Sequence, residues 1–235
     1  DARKRPIIMQ LTVEAGGEGI PEPVDPEFSD FWQFPSVPEG APEVIIVGSG
    51  PAGLYAALEF IRSGIKPIIV ERGKDVRERR RDLALLTKEH IVNPNSNYCF
   101  GEGGAGTYSD GKLYTRAKKR GHVREALEWL VAHGAHSDIL VDAHPHIGTN
   151  KLPAIITSIR ETVERAGGQV LFNTKLVDIT ITSRNISAIT LEDVESGEKK
   201  EVECSHLVLA TGHSARDIFT MLHDKGVALE AKPFA

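Results

Sequence analysis

The most constraining stretch of this chain is Val44-Ile45-Ile46-Val47-Gly48-Ser49-Gly50-Pro51-Ala52-Gly53. A short apolar run of this kind reads as a buried strand, and here it leads into a GxGxxG turn that opens a helix. Each glycine has a physical task. Gly48 makes the tight turn from strand to helix. Gly50 lets a pyrophosphate approach the backbone without a Cβ in the way, and Gly53 lets the helix pack close to the sheet. Ser49, Pro51 and Ala52 complete the loop, whose free N–H groups at the helix N-terminus suit an anion. A second strand, Lys66 to Val70, ends in Glu71, 21 residues after Gly50. An acid there can accept hydrogen bonds from an adenosine ribose and disfavours a 2′-phosphate, so NADP is not expected. FAD and NAD both remain open on this fingerprint alone.

The rest of the pattern is that of one α/β domain. Helices are expected over Ala52–Ser63, Lys74–Glu89, Val123–His133 and Leu152–Ala166, and a last helix carries Ile218, Met221 and Leu222. Short strands are expected at Gln169–Phe172, Leu176–Thr182, Ile186–Glu192, Lys200–Glu203 and Leu207–Ala210. Ahead of the domain, residues 16–42 hold six prolines and four glycines. That density forbids helix or ladder and reads as a linker. Phe28, Phe31, Trp32 and Phe34 within it would be costly in water, so the linker is expected to lie on the domain surface. Residues 1–15, with the strand-like Ile7–Val13, read as the remnant of an upstream domain. Residues 43–235 read as the main domain, truncated at its C-terminus, with 113–150 a candidate insertion toward the substrate side.

Composition narrows the function classes. A net charge of −5 argues against a nucleic-acid partner. No apolar run approaches a membrane span and no signal peptide is recognisable, so no membrane association and a cytoplasmic location are expected. Cys99 and Cys204 are 105 positions apart, without a CxxC pair, and read as reduced, packed thiols. The pair His144-x-His146 lacks further ligands at zinc spacing, so no metal is expected. Ser109 and Ser214 lack a nucleophile-elbow context. Arg77, Arg79, Arg80 and Arg81 form a basic run that reads mostly as a solvated helix face, although one of them could reach a pyrophosphate. The glycine loop Gly101-Glu102-Gly103-Gly104-Ala105-Gly106 exposes backbone N–H groups and could form an anion nest or admit a flat ring. Thr107, Ser109 and Lys112 come next as candidate donors to a cofactor, with Lys112 a candidate for stabilising charge on a reduced flavin.

The ordered set of motifs resembles the FAD-binding domain of glutathione-reductase-type flavoproteins. Its elements are the fingerprint, the triplet Glu71-Arg72-Gly73, and the late strand His206-Leu207-Val208-Leu209 ending in Ala210-Thr211-Gly212. Asn173 to Leu176 matches a GxxV-like pattern, with Asn in place of the first Gly; the resemblance implies that Leu176 touches adenine through its backbone. Phe100 to Leu113, His144 to Thr149, Leu152-Pro153 and Gly212 to Asp217 narrow the resemblance to uncharacterised bacterial FAD-dependent dehydrogenases. That resemblance implies a three-layer FAD/NAD(P)-binding Rossmann-like domain with a β-meander, and FAD as cofactor. It further implies hydride transfer through the flavin to an unknown small-molecule substrate, with NAD(P)H a candidate reductant. The residues expected at the cofactor are Gly48, Ser49, Gly50, Pro51, Ala52, Gly53, Glu71, Arg72, Gly103, Gly104, Ala105, Gly106, Thr107, Ser109, Lys112, Leu176, Ala210, Thr211 and Gly212. Catalytic residues are not assigned. The whole protein is expected to be an enzyme, and this piece by itself to bind FAD weakly and turn nothing over. A flavin-binding protein without turnover and a flavin-dependent RNA-modifying protein are the alternatives.

Overall fold

The computed structural model describes residues 33–115, 121–148 and 150–231. Strand-like Ile7–Val13 and the linker aromatics Phe28, Phe31 and Trp32 lie outside these residues, as does Thr149. Four parallel strands form the central sheet: β1 (Glu43–Val47), β2 (Lys66–Val70), β3 (Gln169–Leu171) and β7 (Leu207–Leu209), in the order β3-β2-β1-β7. The intervening strands β4 (Thr174–Thr182), β5 (Asn185–Asp193) and β6 (Lys199–Glu203) make a separate antiparallel meander. Among the described residues five α-helices accompany them: α1 (Pro51–Arg62), α2 (Val76–Glu89), α3 (Val123–Ala132), α4 (Leu152–Arg165) and α5 (Arg216–Asp224).

The strand period of two divides the core into two halves, one on each face of the sheet. Ile46 of β1 and Ile69 of β2 point to the side covered by α1 and α4, joined there by Leu58, Ile61, Ile155 and Val163. Ile45, Val47 and Val70 point the other way, against Leu176, Ile179 and Ile189 of the meander and Ile218 of α5. Helices, parallel sheet and meander thus stack as three layers. Many of these side chains are fully buried, each contributing roughly 1.5–3 kcal/mol. Connection β1-α1-β2 runs to one side of β1, whereas β7 pairs with the other side in register Ile46 to Val208. The strand order therefore reverses beside β1, the place where open α/β sheets form their ligand crevice.

Two segments outside the sheet pack against the main core. Phe34 of the linker sits edge-on to Trp129 at 5.6 Å between ring centres, and Val37 donates its amide to the Ala166 carbonyl at 2.8 Å. This part of the linker is pinned to the domain. The segment 113–148 contributes α3 and a 3-10 turn at Ser137–Leu140, and Trp129, Ala135, Ile139 and Ile147 join the main core. Its described residues therefore form part of the domain's helical layer. The apolar stripe of α3 is core, with Tyr55 of α1 stacked on Trp129 at 5.5 Å.

A cleft at the sheet's switch point

A cavity of about 610 Å3 opens at the C-terminal ends of β1, β2 and β7. Its floor is the fingerprint turn. Gly48 has φ 106°, and a Cβ there would lie 2.4 Å from the Ala210 carbonyl oxygen, so only glycine fits between the two strands. A Cβ on Gly53 would meet the Gly48 carbonyl oxygen at 1.9 Å, which gives the helix-packing role of that glycine a direct measure. Gly50 differs. The nearest atom to its would-be Cβ is the Gly104 Cα at 3.8 Å, so the protein itself leaves that space open on the cleft side. Gly50 is also the N-cap of α1 and provides no side-chain cap, with Pro51 next in the chain. The positive end of α1 is thus directed at the cleft without a side chain to neutralise it.

The glycine loop forms the opposite wall. Gly103 donates its amide to the Ser49 carbonyl at 2.9 Å, and Gly104 comes so close to Gly50 that a Cβ on it would lie 3.1 Å from the Gly50 Cα. Gly104, Ala105 and Gly106 line the cleft in a 3-10 turn. Further along lie Leu176 of the meander and, from the end of β7, Ala210, Thr211 and Gly212. Asn173 has φ 49°, a left-handed conformation that asparagine tolerates better than most residues. Its departure from the glycine of the GxxV-like pattern therefore preserves the turn that places Leu176.

Three arginines and three acids hold these pieces together. Glu71 is 5% exposed. Its Oε2 accepts from the Ser49 amide at 2.9 Å and hydroxyl at 2.8 Å, and its Oε1 from the Gly73 and Gly101 amides at 2.9 and 3.0 Å. Glu71 lines the cleft, yet four donors of the chain already occupy its acceptor positions, so a ribose hydroxyl reaches it only by sharing them. Arg72 stands at the rim, its guanidinium 4.4 Å from the Phe100 ring centre and 2.6 Å from Asp217.

Arg77, Arg80 and Arg81 are exposed, as expected for most of the basic run, and Arg79 is the exception. It is fully buried and is not among the residues lining the cleft. It donates to the carbonyls of Asn97 (2.9 Å), Tyr98 (3.2 Å), Gly101 (3.3 Å) and Glu102 (2.7 Å) and to the Thr107 hydroxyl (3.1 Å). The glycine loop is wrapped around this one guanidinium. Glu102, also fully buried, accepts from the Val76 amide at the start of α2 and from the Arg160 Nε of α4, at 2.8 and 2.7 Å. Burial pushes its carboxyl up, an effect opposed by the Val76 amide and the Arg160 charge. Neither role was legible in the sequence; the one available signal was an acid inside a glycine run, where a charge needs a partner.

Three expected donors are not brought to the cleft. The Thr107 hydroxyl is engaged by Arg79 and by the carbonyls of Glu102 and Gly104. Ser109 and Lys112 line a neighbouring apolar cavity instead, together with Gly103. The Lys112 side chain is 77% exposed and pairs with Asp110 at 2.8 Å. The loop turns outward after Gly106, and a charge with bulk water available stays there. Ser49 and Gly53 sit behind the cleft wall, acting through Glu71 and through helix packing. His144 stacks on Tyr114 at 4.9 Å, and among the described residues no group of three or more His, Cys, Asp or Glu is placed to hold a metal. No helix among them is long and apolar enough to cross a membrane.

A family model described as an FAD binding domain matches residues 41–217. A protein of Clostridium beijerinckii described as uncharacterized is 40% identical over 215 residues, which covers 90% of this chain and 39% of that protein. The chain therefore spans well under half the length of that relative. Among solved structures, THI4 of Thermovibrio ammonificans is similar with a TM-score of 0.54 and 16% identity, over 80% of this chain and 64% of that one. A flavoprotein/dehydrogenase of Cytophaga hutchinsonii reaches a TM-score of 0.46 at 20% identity, over 77% of this chain and 42% of that one. The likeness to THI4 concerns the fold: an α/β Rossmann-like domain with a parallel sheet and a small meander.

Proposed function

The chain belongs to the FAD binding domain family, and from that premise we propose that it is the cofactor-holding portion of an FAD-dependent oxidoreductase of the dehydrogenase kind. The observation that carries this reading is the open space at Gly50, beside an uncapped helix N-terminus. A pyrophosphate has the right charge and bulk for that place, and no side chain of the protein competes for it. Glu71 and Arg72 would flank the adenosine side, with the Leu176 backbone near adenine. Gly104, Ala105 and Gly106 would form the wall along the rest of the cofactor. Bound FAD would supply hydride exchange at its N5 position.

The chain's own part in that chemistry is placement. Glu71 ties the fingerprint turn to the glycine loop, and Arg79 fixes the loop's shape from behind. The cleft dimensions are thereby set before any ligand arrives, which lowers the ordering cost of binding. NAD(P)H is the proposed reductant and a small molecule the proposed substrate; no nucleic-acid partner is proposed, given the acidic balance of the chain.

The test is titration of the full-length protein with FAD and with NAD, followed by flavin fluorescence and thermal shift. Stoichiometric FAD binding, and bleaching of the bound flavin by NADH or NADPH without oxygen, is the expected result. Protection by NAD with none by FAD would overturn the reading. Bound flavin that no nicotinamide reduces would favour a flavin-binding protein without that reductive step.

A further inference from the structure

A second cavity, of about 250 Å3, lies between α1, α3, α4 and the loop after Gly103. Leu54, Tyr55, Leu113, Leu130, Ile155 and Ile156 form most of its wall. Two of the three hydroxyls among the lining residues, those of Tyr55 and Thr107, are already committed. Tyr55 donates to the Ala126 carbonyl at 2.6 Å, and Thr107 bonds to the Glu102 and Gly104 carbonyls. Lys112 is the one charged side chain among the described lining residues, and it stands 77% exposed and paired with Asp110 at the edge; the remaining walls hold no charge, so an ion inside them is strongly disfavoured. The volume falls below the roughly 300–1,000 Å3 of sites for drug-sized ligands, which admits one or two rings but no nucleotide.

Polar groups stand along one edge only. The Ser109 hydroxyl oxygen accepts from the Gly111 amide at 3.1 Å, and its own hydrogen goes to no described residue. Lys112 stands beside it. That edge offers donors, matching a ligand with an acceptor oxygen. The cavity also meets the larger cleft, because Pro51 and Gly106 line both. At Gly106 the backbone is outside the left-handed region, and nothing lies within 4 Å of the position a Cβ would take. Neither conformation nor protein packing demands glycine there. Its missing side chain leaves free space at a point that lines both cavities.

We infer that this cavity is the substrate pocket, and that it takes an uncharged, ring-shaped molecule bearing a carbonyl oxygen, presented to the cofactor cleft past Gly106. The inference rests on the reading of the larger cleft as the FAD site. Apolar walls select the ring, the edge at Ser109 orients its oxygen, and the shared lining brings it alongside the cofactor.

The experiment is equilibrium dialysis of menadione, an uncharged two-ring dione, against full-length protein with its flavin content read by visible absorbance. One menadione per chain is expected with FAD bound. Leu130→Trp and Leu113→Glu, which fill or charge the cavity, should each weaken binding at least tenfold at unchanged flavin content. Ser109→Ala, an exposed position that does not endanger folding, should weaken it several-fold. No menadione bound by the flavin-loaded protein overturns the inference, as does undiminished binding in all three variants. Menadione bound only without flavin, and expelled by FAD, also overturns it, because the cavity would then belong to the cofactor. Failure of the protein to take up flavin is read separately by absorbance and strikes the FAD reading instead.

Discussion

The Glu71 carboxylate accepts two hydrogen bonds from one residue, the amide of Ser49 at 2.9 Å and its hydroxyl at 2.8 Å. Its other oxygen holds Gly73 and Gly101. One side chain at the end of β2 therefore joins the fingerprint turn to the glycine loop across the head of the cleft. Replacement by glutamine turns an NH2 group toward two of these donors. Glu71→Gln should destabilise the ligand-free protein by about 1–3 kcal/mol, in the range of charge-assisted bonds lost from a buried site. Urea denaturation with and without FAD checks this. A variant of wild-type stability would show that these four bonds do not hold the cleft.

Gly50 and Gly53 lie three residues apart and should respond to the same substitution in opposite ways. Gly53→Ala forces a Cβ to 1.9 Å from a backbone oxygen and should cost several kcal/mol or prevent folding. Gly50→Ala meets no protein atom closer than 3.8 Å and should leave stability within about 1 kcal/mol. Its methyl enters the cleft, so FAD affinity should fall at least tenfold, about 1.4 kcal/mol. Paired melting curves and flavin titrations separate the two effects. Equal affinity in Gly50→Ala would remove the pyrophosphate from this turn.

Arg79 is the strongest expected determinant of loop structure outside the cleft. Arg79→Lys keeps a charge but replaces a planar fork reaching five acceptors by a single ammonium. Several carbonyls of residues 97–102 would be left without partners. A loss of about 3 kcal/mol or more is expected, with faster amide exchange confined first to the glycine loop. Exchange unchanged in that loop would refute the role.

His133 should give the protein a pH dependence near neutrality. Its Nδ1 donates to the Trp129 carbonyl at 2.6 Å, and its Nε2 lies 3.1 Å from the Thr162 hydroxyl, an arrangement that suits the neutral ring. Burial pushes its pKa below the ordinary 6.5, and the nearby Arg165 charge works the same way. The unfolded chain therefore takes up the proton first. Stability from this residue is complete above 6.5 and declines as pH falls from there toward the folded-state value. Melting temperatures from pH 8 to 5 should show that decline, and His133→Gln should flatten it; an equally steep decline in the variant would assign it elsewhere.

Much of the fold and part of the site were determined by the amino-acid sequence itself. The turn Gly48-Ser49-Gly50-Pro51-Ala52-Gly53 dictates its own geometry, because backbone freedom, a helix N-terminus and close packing are local properties that a few residues specify. The alternation of Ile45, Ile46 and Val47 between the two faces of the sheet comes from the period of a strand. Leu176, Ala210, Thr211 and Gly212 were placed by motif and do line the cleft.

Tertiary structure decided the rest. A buried Arg79 and an exposed Arg80 are alike in sequence, since both belong to the same charged helix, and only the path of residues 97–107 supplies the carbonyls that draw one of them inside. Thr107, Ser109 and Lys112 come after the glycines in the chain, but the outward turn beyond Gly106 sends the latter two to a different cavity. Glu71 carried the expected charge at the expected position, while one of its partners, the Gly101 amide, came from 30 residues away. A side chain's type can be read from the sequence. Whether its charge meets water, ligand or backbone depends on which distant segments the packed core brings beside it.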